Sequence, residues 1–122
     1  MTHLQLKALR QLLFFTVDEA AVMVAMSPER PNGVSGRTWR NWENGRCPVP
    51  PDVAAAIQHL AQWRSEHIAY LQDYPHDPLI WYESAEQWGM HSLMAPLWRP
   101  HQSAVAHIVA TVPGVVVVPY SS

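Results

Sequence analysis

At 122 residues, 48% hydrophobic and 15% charged, the chain has the make-up of one globular unit or two very small ones sharing a core, which excludes a disordered protein. A formal net charge of −2 speaks against binding nucleic acid by bulk charge alone. A single cysteine, Cys47, excludes an internal disulfide. No apolar run approaches the about 20 residues of a membrane span. The run from Leu12 to Phe15 is too short for a signal-peptide core, so the expected location is the cytoplasm.

Leu4 to Leu13 reads as a first helix, with Leu6, Leu9 and Leu13 at helical spacing. Thr16-Val-Asp-Glu19 has the form of a capping box and predicts a second helix from Val17 to about Met26, packed through Ala20, Ala21 and Val24. Two prolines and Asn-Gly make residues 27–33 a loop. Ser35 then stands where an N-cap belongs, and Gly45 can supply the left-handed residue that ends a third helix over 35–44. At about 100° per residue, Gly36, Arg37, Arg40, Asn41 and Asn44 fall on one arc of it and Thr38, Trp39, Trp42 and Glu43 on the other. Arg and Asn carry the paired donor and acceptor patterns that match guanine and adenine edges in a major groove. By charge pattern alone the same arc also fits a solvated face. After the rigid Cys47-Pro-Val-Pro-Pro51 link, a long helix runs from Pro51 or Asp52 to about Tyr74. Val53, Ile57, Leu60, Ile68 and Leu71 share one face of it, with Arg64 intruding.

Pro75-His-Asp-Pro78 punctuates the chain and predicts a change of module, giving domains 1–74 and 75–122. Leu79 to Tyr82 reads as a short strand, Ser84 to Gly89 as a short helix and Leu93 to Trp98 as an extended piece. Pro100 is placed to open a helix reaching about Ala110, and Val115 to Val118 forms a strand or an apolar tail. The expected fold is mainly α: a helical bundle followed by a small α+β module. Charge divides in the same sense. Residues 1–64 carry seven Lys or Arg against five acids, a net +2, whereas residues 65–122 carry Arg99 alone against five acids, a net −4. A DNA-contacting half joined to a non-contacting half shows such a split, although modest asymmetries also arise without function.

Thr16 to Glu19 followed by Val34-Ser-Gly-Arg-Thr-Trp-Arg-Asn-Trp-Glu-Asn-Gly-Arg-Cys-Pro-Val-Pro50 resembles the Cro/repressor-like (Cro/C1, Xre-type) helix-turn-helix regulators. Leu4-Gln-Leu-Lys-Ala-Leu-Arg10, Val17-Asp-Glu-Ala-Ala21, Pro50-Pro-Asp-Val53 and Trp98-Arg-Pro-His-Gln-Ser-Ala-Val-Ala106 extend the likeness to the small anti-CRISPR-associated autorepressor-like family. The resemblance implies a helix-turn-helix DNA-binding domain, a C-terminal dimerisation module and a homodimeric repressor on double-stranded DNA, with an inverted-repeat operator. It implies base contacts at Gly36, Arg37 and Asn41, phosphate contacts from Arg40 and Arg46, and backbone contacts near Asn44 and Gly45, with Ser35 and Thr38 in the same DNA-facing set. It also implies an Arg10–Glu43 ion pair. The sequence departs from the pattern in the long 27–33 loop, the missing side chain at Gly36 and the apolar Val17.

Other chemistries find less in the chain. His59 and His67, or His101 and His107, lack the spacing that puts two imidazoles on one metal, so no metal site and no cofactor is expected. No Gly-x-Ser-x-Gly, Gly-rich phosphate loop or His-Glu-x-x-His is present, so no enzyme is expected. Trp63, Trp81, Trp88 and Trp98 fit a core or dimer interface in the C-terminal half better than a ligand pocket. RNA finds no support in the sequence. The competing reading is a protein-interaction module, such as an antitoxin-like partner of another protein.

Overall fold

The computed structural model describes residues 1–73, 77–89 and 95–121. It is mainly helical with one small sheet, in the order α1 (His3–Leu12), α2 (Val17–Met23), α3 (Gly36–Glu43), α4 (Pro51–Gln72), β1 (Leu79–Trp81), α5 (Ala85–Trp88), a 3-10 turn (Ala95–Leu97), α6 (Trp98–Thr111) and β2 (Val117–Pro119). The chain packs as two compact units, Met1–Ala61 and Gln62–Ser122. The division falls within α4, because the C-terminal part of that helix gives Ile68 and Leu71 to the second core. Among the described residues, no helix is long and apolar enough to cross a membrane.

In the first unit, caps set the helix starts. Thr2, Thr16 and Ser35 each accept a backbone N–H of the first turn, and Thr2 with Gln5 and Thr16 with Glu19 form full capping boxes. Leu6, Leu13, Phe15, Ala20, Ala21, Val24, Ala25, Trp39, Trp42, Val53 and Ile57 make the core. The α3 helix packs against both α1 and α2.

Helix α2 ends at Met23, short of the expected Met26. The loop that follows is tied back to its end: Arg30 Nε donates to Ala25 O, two residues past the helix, at 2.9 Å, and Val34 N donates to Ala21 O at 2.8 Å. Arg30 also pairs with Asp52 at the start of α4, while Ser27 and Arg30 exchange two backbone hydrogen bonds of 3.0 Å. The loop closes on Gly33, at φ +73°, where an added Cβ would lie 2.3 Å from Ala21 O and 2.6 Å from Val22 Cα. Both atoms are backbone and cannot give way cheaply. Gly33→Ala is therefore expected to cost at least about 2 kcal/mol, through strain at a left-handed position and the forced shift of α2. Chemical denaturation of the two proteins checks this; equal midpoints would contradict the packed position of Gly33.

In the second unit, β1 and β2 pair in parallel with Leu79 opposite Val117, Ile80 opposite Val118 and Trp81 opposite Pro119. Leu79, Val105 and Ile108 form its core with Ile68, Leu71, Trp81, Val112 and Val115 against them. The extended piece expected over Leu93–Trp98 is corrected in its described part, since Ala95–Leu97 is a 3-10 turn leading straight into α6; Leu93 and Met94 lie outside the described residues, as do Tyr74, the expected end of the long helix, and Pro75 and His76 of the expected punctuation. Helix α6 starts at Trp98, two residues before Pro100. A proline in a first turn costs little because the N–H it lacks has no intrahelical acceptor there.

Polar side chains of α6 tie it to the β1 segment. His101 Nε2 donates to Ile80 O at 2.8 Å, and Gln102 Nε2 and Trp98 Nε1 donate to Tyr82 O at 2.7 and 2.8 Å. Arg64, which interrupts the apolar face of α4, donates from Nε to the Ser103 hydroxyl at 2.7 Å. Buried donors thus meet acceptors, as an apolar interior requires.

Candidate nucleic-acid interface

Helix α3 has only eight residues, so its orientation depends on what its inner face holds. Trp39 is fully buried and meets Trp42 edge-on, with ring centroids 5.5 Å apart and planes at 62°. Glu43, also buried, receives Arg10 in bidentate fashion, Nε to Oε2 at 2.6 Å and Nη2 to Oε1 at 3.0 Å. The Trp39 indole N–H donates to the same carboxylate. Arg10 Nη1 reaches on to Phe15 O at 3.1 Å. The Arg10–Glu43 pair therefore joins α1, α3 and the chain entering α2.

The opposite face is polar. Arg37, Arg40, Asn44 and Arg46 are exposed, while Gly36, Thr38 and Asn41 are half-buried. Of the five arginines in the first unit, Arg10 and Arg30 are consumed by Glu43 and Asp52. Among the described residues no ion pair holds Arg37, Arg40 or Arg46. Ser35 is exposed, but its hydroxyl is occupied, accepting Thr38 N at 3.1 Å and lying 3.1 Å from the Thr38 hydroxyl. Asn44 Oδ1 accepts Arg46 N at 3.0 Å, which fixes the turn around Gly45 at φ +81°. Asn41 uses its backbone carbonyl to accept Cys47 N at 3.1 Å, leaving its amide side chain out of that bond.

Asp18 escapes a reading of the sequence. A Cβ on Gly36 would lie 2.3 Å from Asp18 Oδ1 and 3.2 Å from Arg40 Nη1, so Gly36 makes room for a carboxylate beside the first turn of α3. No local spacing links positions 18 and 36. The loop over 24–34 brings them together. His3 is a second such neighbour, its ring 3.4 Å from where a Gly45 Cβ would sit.

Residues 1–116 match the family described as Aca2/YdiL-like. The chain belongs to that family. Over 66 residues it is 42% identical to the Aca2 repressor of Pectobacterium phage ZF40, covering 54% of this chain and 51% of that protein. Over 68 residues it is 32% identical to uncharacterized protein YdiL of Escherichia coli strain K12, covering 56% of this chain and 52% of that protein. The chain thus spans about half the length of the curated relatives it matches.

Proposed function

We propose that this Aca2/YdiL-like chain is a transcriptional repressor, a regulator and not an enzyme, that binds DNA as a homodimer with α3 in the major groove. The observation that carries the reading is the division of α3 itself. Trp39, Trp42 and Glu43 anchor one face, and the other presents Arg37, Arg40 and Arg46, which make no ion pair among the described residues, with the Asp18 carboxylate beside Arg40. The likeness to a protein named as a repressor supports it. In this arrangement the first unit acts as the helix-turn-helix, with Arg37 and Asn41 reading bases and Gly36 making room for Asp18 at the same end of α3. Arg40 and Arg46 hold phosphates, and Ser35, Thr38 and Asn44 shape the two ends of the helix against the backbone.

One short helix reads too few base pairs to find a genomic site, which favours a two-fold partner and an inverted-repeat operator. Residues 75–122 are suited to supply the contact. Ile80, Val109, Val116, Val117 and Tyr120 are exposed there, and a sheet of two strands has outer edges to pair. Repression then follows by occlusion, two recognition helices covering a promoter.

The test is the salt dependence of binding to the DNA upstream of the chain's own gene, followed by fluorescence anisotropy. Arg40→Ala and Arg46→Ala are each expected to weaken binding to all sequences alike and to reduce the salt slope by about one. Slopes unchanged in both variants would contradict the phosphate-facing placement of these residues.

A further inference from the structure

The second unit contains a cavity of about 490 Å³, a size typical of small-molecule sites. Tyr70, Tyr82, Trp88, His67, His101 and Asp77 line it. Tyr82 and Trp88 meet edge-on, with centroids 5.0 Å apart and planes at 87°, and Tyr82 also lies against Tyr120 at 5.3 Å and 32°. The His101 ring lies against Trp88 at 4.8 Å, and Tyr70 is nearly parallel to His67, at 11°.

The imidazole nitrogens at the contact are already committed. His101 Nε2 donates to Ile80 O, and its Nδ1 shares one proton with His67 Nε2 at 2.8 Å. Burial pushes both imidazoles below the usual histidine value, which favours their neutral forms. Burial, with the neighbouring His101 adding to it, holds His67 down to about 4, so no positive charge develops there near neutral pH. Among the described lining residues there is no lysine or arginine, and the one acidic side chain is Asp77. Aromatic faces present the negative side of their quadrupole. Neutral imidazoles, aromatic faces and one carboxylate together select against anions and in favour of a cation that can shed its water on apolar walls.

We propose that this cavity binds a small organic cation of the quaternary or tertiary ammonium class, held among the aromatic side chains of Tyr70, Tyr82 and Trp88 with Asp77 as its counter-charge. The site rests on residues of the second unit and its test does not depend on DNA binding, while Ile80 also belongs to the surface proposed for dimerisation.

The probes are three compounds of similar shape: choline, its uncharged isostere 3,3-dimethylbutan-1-ol, and the anion 3,3-dimethylbutanoate. Each is titrated into the intact protein while the aromatic side-chain resonances are followed by NMR. Choline is expected to shift the Trp88, Tyr82 and His67 signals and to bind about tenfold more tightly than the uncharged alcohol, the margin a partly desolvated cation–π contact provides. Asp77 is exposed, so Asp77→Asn should fold normally, weaken choline several-fold and leave the alcohol unchanged. Choline that binds no more tightly than the alcohol, tightest binding by the anion, or an absence of shifts at these rings would each overturn the proposal.

Discussion

Glu43→Ala is expected to destabilise the first unit by about 3–5 kcal/mol, the cost of removing one partner from a buried ion pair. The side chains of Arg10 and Glu43 are only 12% and 8% exposed, so water cannot replace the lost carboxylate around the guanidinium. The Trp39 indole N–H loses its acceptor in the same change. Glu43→Gln keeps an acceptor without the charge and should fall between the two. Thermal and denaturant melts of the three proteins measure the series. A loss within the roughly 0–1 kcal/mol of an exposed pair would mean that Arg10 and Glu43 do not hold α1 to α3. DNA affinity should decline with stability in these variants, because α3 keeps its inner face fixed through this carboxylate.

Arg37→Ala and Asn41→Ala should behave in the opposite way, leaving the melts unchanged and each costing about 1–3 kcal/mol of specific binding, with relaxed preference at one base position. Arg37 is exposed and has no ion pair among the described residues. Asn41 holds the turn through its backbone carbonyl, which alanine retains. Competition binding with single-base operator variants separates this loss from a general one. Full operator affinity in both variants would remove α3 from the base-reading role. Stability and recognition therefore divide by helix face.

Much of that division is legible in the sequence because local chemistry determines it. The hydroxyls of Thr16 and Ser35 mark helix starts, Gly45 marks an end, and the spacing of Trp39, Trp42 and Glu43 defines a buried side. The Arg10–Glu43 pair is legible only through the family resemblance, since 33 residues separate the partners. What stays hidden depends on distant chain segments meeting. Nothing at residues 24–26 announces the end of α2, because the groups that hold the chain there belong to Arg30 and Val34. The histidines show no ligand spacing along one helix, yet His67 and His101 pair across 34 residues. Pro100 looks like a helix opener, but a proline fits several first-turn positions and the true start at Trp98 has no side-chain cap to reveal it.

Hydroxyl-radical footprinting of the intact protein on the DNA upstream of its own gene tests the central claim most directly. A homodimer reading DNA with two copies of α3 predicts two equivalent protected patches, related by a two-fold axis and centred about one helical turn, or 10–10.5 base pairs, apart. A single unsymmetrical patch, or no protection at salt concentrations where the protein is folded, would contradict it.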